Sequence, residues 1–112
     1  MKRLRVLDLS YTRIKILPES VSNLENLTAL LLKRSEESKY VPSLAKLKGL
    51  KKLDFFETGI NKIPDGMEML VKLRYLDFSL CRLDFIPDGV LRKLVNLQYL
   101  SLMFLSKTPR IK

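Results

Sequence analysis

Aspartates recur at a fixed interval in this chain, and a column of carboxylates could in principle bind a metal ion. Asp54 and Asp77 are 23 residues apart, and Asp8 stands two such intervals before Asp54. If the interval is a structural repeat, neighbouring carboxylates lie roughly 5 Å apart on adjacent strands. Leu31 interrupts the column, however. We therefore expect solvated carboxylates instead of a metal site, partly offset by Arg5, Lys51 and Arg74.

Other catalytic chemistry has little support in the composition. The chain has no histidine, which is the most frequent acid-base residue of enzymes, and its one cysteine, Cys81, has no thiol or imidazole partner. No glycine-rich phosphate-binding loop is present. We predict that the chain is not an enzyme, and that Cys81 is a buried turn residue whose S–H donates to a backbone carbonyl.

Leucines repeat with the same interval and indicate the elements that position these side chains. Each of five units opens with Leu-x-x-Leu-x-Leu/Phe, and the opening residues are Leu4, Leu27, Leu50, Leu73 and Leu97. A later segment of the unit carries Leu-Pro or Ile-Pro, as at Leu17-Pro18, Ile63-Pro64 and Ile86-Pro87. This pattern is the leucine-rich repeat. It predicts an α/β solenoid with a curved parallel β-sheet on the concave face, and loops with short 3₁₀ or helical turns on the convex side.

The repeats predict a single domain over residues 1–112. We expect units at about 4–26, 27–49, 50–72 and 73–96, with a partial unit at 97–112 that loses the pattern after Ser106. Because neither end carries a polar cap, we expect a fragment of a longer array. Two irregularities stand out: Glu37 replaces an apolar residue in the second unit, and one residue is inserted between Val90 and Leu94 in the fourth.

The alternation of residues along each strand assigns the candidate binding residues. Leucines at the inward positions face the core, so the residues between and after them face the concave side. We predict that a partner protein contacts Tyr11, Lys33, Arg34, Lys52, Asp54, Phe56, Glu57, Tyr75, Asp77 and Tyr99. Aromatic rings are frequent energetic centres of interfaces, and the charged residues would give specificity. The alternative is that these rings only shield the strands and stack across repeats.

The net charge of +9 raises the question of nucleic acid. The first 56 residues contain 12 basic and 6 acidic residues, so we expect the basic excess to be spread along the chain. No nucleic-acid-binding motif is present, and the aspartates would repel a phosphate backbone. We therefore expect a protein partner, no specific nucleic acid and no membrane span. One cysteine and the absence of an apolar leader favour an intracellular location.

Residues 4–27, together with Val41-Pro-Ser-Leu-Ala-Lys-Leu, Thr58-Gly-Ile and Ile63-Pro-Asp-Gly-Met-Glu-Met-Leu, resemble the repeats of plant intracellular immune receptors. Those receptors combine a coiled coil, a nucleotide-binding switch domain and leucine-rich repeats. The resemblance implies a cytoplasmic role in disease resistance. Its partner would be a pathogen effector, a modified host protein or the receptor's own switch domain. It implies no cofactor in these residues, because ATP or ADP would belong to the nucleotide-binding domain.

A second interpretation needs no immune context. Short intracellular leucine-rich-repeat proteins act as scaffolds that bind signalling proteins such as small GTPases or phosphatases, and the same repeat pattern fits them. A third interpretation, nucleic-acid binding, predicts an affinity that falls steeply with salt.

Overall fold

Five of the described strands form one parallel sheet. The computed structural model describes residues 3–103 and 110–111. Five strands are hydrogen-bonded in the order β1-β2-β3-β4-β6, each neighbour lying one repeat along the chain. Their bounds are β1 Val6–Asp8, β2 Ala29–Leu31, β3 Lys52–Asp54, β4 Tyr75–Asp77 and β6 Tyr99–Ser101. The predicted leucine-rich-repeat solenoid is therefore confirmed.

The register of the sheet follows the repeat. Leu30 lies beside Leu53, and Leu53 beside Leu76, so the middle leucine of each strand forms one column. The column is closed to water in the central strands, where Leu76 is 1% exposed. It opens at β6, where Leu100 is 43% exposed, because this strand has a neighbour on one side only within the described sheet.

The interior is continuous from one unit to the next. The buried hydrophobic residues include the opening leucines Leu27, Leu50 and Leu73. They also include the residues at the last position of the Leu-x-x-Leu-x-Leu/Phe motif, Leu32, Phe55 and Phe78. The rings of Phe55 and Phe78 pack edge to face with centroids 5.5 Å apart. Such pairs contribute beyond their buried area because the positive ring edge meets the negative ring face.

The opposite side of the units contains short helices and turns, as predicted. The 3₁₀ helices are Glu19–Asn23 and Met67–Met69, and the α-helix α1 is Asp88–Lys93. Pro18 and Pro87 precede two of them, where a proline costs no intrahelical hydrogen bond. The residue inserted in the fourth unit lies within α1, so the extra length is absorbed by a full α-helical turn.

One prediction about an irregular segment needs correction. In the second unit Ser38, not Glu37, takes the inward place: Ser38 is fully buried and its hydroxyl donates to the Ile14 carbonyl at 2.6 Å, while Glu37 is exposed. The apolar residue is replaced by a small polar one that finds an acceptor.

In the last unit Arg110–Ile111 forms strand β7 and pairs in parallel with β5, Phe85–Ile86. The loss of pattern predicted over 106–110 falls, except for Arg110, outside the described residues.

Candidate protein-interaction face

The candidate residues lie on one face of the parallel sheet and in the turns that follow its strands. We call this surface the concave face, and define it by the side chains that alternate with the inward leucines: Lys52, Asp54, Phe56, Tyr75, Asp77 and Tyr99. The parallel register places Lys52 beside Tyr75 and Tyr75 beside Tyr99, so equivalent positions of successive repeats become neighbours.

The turn after each of the strands β1 to β4 contains a residue with left-handed backbone. Tyr11, Arg34, Glu57 and Leu80 have φ between 57° and 61°. Non-glycine residues rarely adopt this conformation, which costs roughly 1 to 2 kcal/mol. A hydrogen bond to the next unit offsets the cost in each case, as when Arg34 N–H donates to the Phe56 carbonyl at 2.7 Å. These turns fix the direction in which the three predicted binding residues Tyr11, Arg34 and Glu57 leave the sheet.

The aspartates hold the same turns together. The Asp54 carboxylate accepts the backbone N–H of Phe56 at 3.0 Å, and that of Asp77 accepts the N–H of Ser79 at 2.7 Å. Asp54 and Asp77 are 8% and 6% exposed, so the expectation of solvated carboxylates was wrong for both. Their hydrogen bonds to backbone donors replace the water that burial removes.

Asp8 makes the same turn at the first strand but is exposed. It accepts the backbone N–H of Ser10 at 2.9 Å, and hydrogen bonding to Ser10 holds the pKa of Asp8 below its usual value. Among residues 3–103 and 110–111, no three acidic or cysteine side chains are grouped so that they could hold a metal ion. The recurring aspartates are accordingly explained by turn geometry.

An aromatic stack lies at the beginning of β4 and β6. The rings of Tyr75 and Tyr99 are parallel within 3°, with centroids 4.4 Å apart. The ammonium group of Lys52 lies 4.6 Å from the centroid of the Tyr75 ring, within the range of a cation–π interaction. The outermost ring, Tyr99, remains 47% exposed. We call Lys52, Tyr75 and Tyr99 the tyrosine stack.

The surroundings of Tyr75 keep its phenol neutral. Burial is the main cause, and the negative charges of Asp54 and Asp77 add to it; together with Tyr99 they raise the pKa of Tyr75 to about 12. The Tyr75 hydroxyl is therefore partly enclosed by its neighbours Asp54, Asp77 and Tyr99.

A second cluster surrounds Phe56. Its ring lies 5.8 Å from the Lys33 ammonium and 5.5 Å from the Arg34 guanidinium carbon. Arg34 also lies 4.0 Å from the Glu57 carboxylate. Hydrogen bonding to Glu57 and the negative charge of that carboxylate raise the pKa of Glu36. The cluster combines one apolar ring with charges of both signs.

The predicted residues therefore divide into three groups. Lys52, Tyr75 and Tyr99 form the tyrosine stack, and Lys33, Arg34, Phe56 and Glu57 form the second cluster. Asp54 and Asp77 form the third group: they are buried, and their hydrogen bonds to backbone N–H groups stabilise the turns that follow β3 and β4. Tyr11 is 69% exposed in the first unit and lies outside both clusters.

A group of cations near the beginning of the strands was not foreseen. Lys51, Lys72 and Arg74, with Asn96, line a cleft of about 330 Å³. The expectation that the basic excess is spread out was therefore wrong for this part of the surface. Lys51 and Arg74 are one repeat apart and could have signalled it. Lys72 and Asn96 complete the cleft only because the solenoid brings successive units together.

Cys81 behaves as predicted. It is 7% exposed, and its sulfur lies 2.9 Å from the Phe55 carbonyl oxygen and 3.2 Å from the Thr58 hydroxyl. Burial raises the pKa of the Cys81 thiol, so the reactive thiolate is disfavoured.

Comparison with known proteins agrees with the geometry. The sequence profile of the Leucine Rich Repeat matches residues 3–24. Fibromodulin from Sus scrofa is 32% identical over 108 residues, which are 96% of this chain and 72% of that sequence. The chain belongs to the leucine-rich-repeat family. A leucine-rich-repeat protein of Leptospira interrogans has a solved structure that matches with a TM-score of 0.75 and 25% identity, over 96% of this chain and 28% of its own.

A plant protein is also similar to this chain. A disease resistance protein of Arabidopsis thaliana is 39% identical over 101 residues, which are 88% of this chain. The chain spans only 10% of the length of that plant protein. In the described residues no helix is long and apolar enough to cross a membrane.

Proposed function

We propose that this chain is a protein-recognition module of a plant intracellular immune receptor. The single observation that carries the recognition role is the tyrosine stack, a rigid aromatic surface beside a cation on an open sheet face. Tyrosine is enriched among the residues that dominate binding energy, because it buries much area with few rotatable bonds. The immune context is supported by the 39% identity to the Arabidopsis disease resistance protein.

The proposed mechanism is binding without chemistry on the partner. The partner is a pathogen effector or a host protein altered by one, and contact with the concave face changes how the repeats restrain a nucleotide-driven switch domain. ATP or ADP is bound by that domain and by none of the residues described above. The proposed location is the cytoplasm, where such a partner would be met.

The second candidate is a scaffold for intracellular signalling proteins. It is favoured by the similarity to proteins outside plants, fibromodulin and the Leptospira protein, since these share the repeat without an immune name. Sequencing the genomic region that flanks the gene separates the two. An upstream coding segment for a phosphate-binding loop supports the receptor, and a stop-flanked array supports the scaffold.

Site-specific photo-crosslinking tests the recognition role. A benzophenone amino acid replaces Tyr99 in the full chain expressed in plant cells, and the matched control places it at Val95, which is 77% exposed and outside the concave face. We expect one protein to be cross-linked from position 99 and not from position 95. Equal labelling from both positions, or labelling from position 95 alone, contradicts the proposal.

A further inference from the structure

The cleft described above is part of a wider charge asymmetry. Segments 46–53, 71–76 and 95–100 lead into or include the strands β3, β4 and β6, and they contain six lysines and arginines but no aspartate or glutamate before the strand ends. The carboxylates Asp54, Asp77, Glu36 and Glu57 belong to the ends of the strands and the turns after them. The edge where β3, β4 and β6 begin is therefore basic, whereas the edge where the strands end carries charges of both signs, with Lys33 and Arg34 beside Glu57.

The cations of the cleft lack carboxylate partners. Within the part of the chain that the structure describes, the ion pairs join Arg34 to Glu57 and Arg92 to Asp88, and neither uses a cation of the cleft. Lys51, Lys72 and Arg74 are exposed, so their charges are solvated and available. Three like charges around one concavity attract a compact anion, because its binding relieves their mutual repulsion as well as adding attraction.

The cleft is held in a fixed relation to the tyrosine stack. The Lys51 carbonyl accepts the N–H groups of Arg74 and Tyr75 at 2.8 and 3.1 Å. The Arg74 carbonyl accepts that of Tyr99 at 3.0 Å. Asn96 is fixed as well, since its side-chain amide donates to the Val71 carbonyl at 2.8 Å. The backbone of Lys51 and Arg74 is therefore hydrogen-bonded directly to the strands that bear Tyr75 and Tyr99.

We propose that the cleft binds the phosphate group of a phosphorylated serine or threonine in the partner's peptide chain. A phosphate carries a charge of about −1.5 to −2 and three strong acceptor oxygens, which match two ammonium groups and a guanidinium better than a single carboxylate does. The proposal rests on the proposed function, because the partner's peptide lies on the concave face. It adds that recognition depends on the partner's phosphorylation.

The geometry favours a single phosphate over a nucleic acid. A nucleic-acid strand presents successive phosphates along a path, and binding it requires cations along that path. Here three of the six cations of the basic edge surround one cleft, and carboxylates occupy the far ends of β3 and β4. A strand that crossed the face from the cleft would meet those negative charges.

Fluorescence polarisation with degenerate peptide pools tests the proposal on the full chain. One pool has a fixed phosphoserine and the other a fixed serine. The cleft variant is Lys51→Gln, Lys72→Gln and Arg74→Gln. The control variant, Lys15→Gln, Lys39→Gln and Lys62→Gln, removes the same charge from exposed lysines elsewhere. Far-ultraviolet circular dichroism and thermal unfolding confirm that each variant folds.

We expect the chain to bind the phosphoserine pool on the order of tenfold more tightly than the serine pool. The cleft variant should lose this preference and the control variant should keep it. Equal binding of the two pools, equal losses in both variants, or competition by an oligonucleotide of matched charge at the same concentration each overturns the proposal. If a partner is cross-linked from position 99 but the chain shows no preference for phosphoserine, phosphate binding in the cleft is refuted and the proposed function stands.

Discussion

At the scale of the residue, position in the repeat decides what each side chain can do. Tyr75 and Tyr99 are assigned to the concave face by the two-residue alternation of a strand, and the sequence predicts this because the inward leucines fix the phase. Whether the rings stack could not be predicted, since it depends on the rotamers and on the twist between strands. The same holds for Asp54 and Asp77: their spacing was visible, but their burial follows from hydrogen bonds to backbone two residues away.

The ionisation of Tyr75 tests this environment. Because its pKa is raised to about 12 from the ordinary 10.0, the folded state favours the neutral phenol. The contribution of Tyr75 to stability is therefore complete below pH 10 and is lost as the pH rises from about 10 toward 12. Phenolate absorbance is measured against pH for the wild type and for Tyr75→Phe. We expect the difference between the two curves, which reports Tyr75 alone, to have its midpoint near pH 12. A difference curve centred near pH 10 would contradict the described packing.

At the scale of the element, each strand of the five-stranded sheet is three residues long, and the strained left-handed residues lie in the turns that follow β1 to β4. The repeat pattern predicts the strands and the helical turns, because leucine spacing and prolines mark them. It does not predict the left-handed backbone of Tyr11, Arg34, Glu57 and Leu80, since none of these is a glycine or asparagine that would signal it. Hydrogen bonds between units impose that conformation, and they exist only in the stacked array.

Gly66 provides a matched test of turn geometry. Its φ is +86°, and a Cβ there would lie 2.4 Å from the backbone nitrogen of Ala45 in the preceding unit. We expect Gly66→Ala to lower the free energy of unfolding by about 2 kcal/mol or more. The control is Gly89→Ala in α1, where a Cβ meets nothing within 4 Å and alanine favours the helix. Urea denaturation of both variants measures the difference, and equal stabilities would contradict the packing between units.

At the scale of the whole molecule, stacking the units determines both the core and the surface charge. The core was predictable because every unit contributes leucines at the same positions, as Leu30, Leu53 and Leu76 show. The basic cleft was not, because Lys51 and Lys72 come from one unit, Arg74 and Asn96 come from the next, and the four are neighbours only once those units are aligned. Composition reports the total charge, but the register of the sheet decides where it accumulates.

The central claim is that the tyrosine stack is the energetic centre of a protein interface. Isothermal titration calorimetry of the partner cross-linked from position 99 tests it most directly, with Tyr75→Ala compared with Val95→Ala. Since a central aromatic residue of an interface contributes about 2 kcal/mol or more, we predict that Tyr75→Ala raises the Kd on the order of 30-fold. Val95→Ala should leave the Kd unchanged. A correctly folded Tyr75→Ala protein that binds the partner as tightly as the wild type would contradict the account.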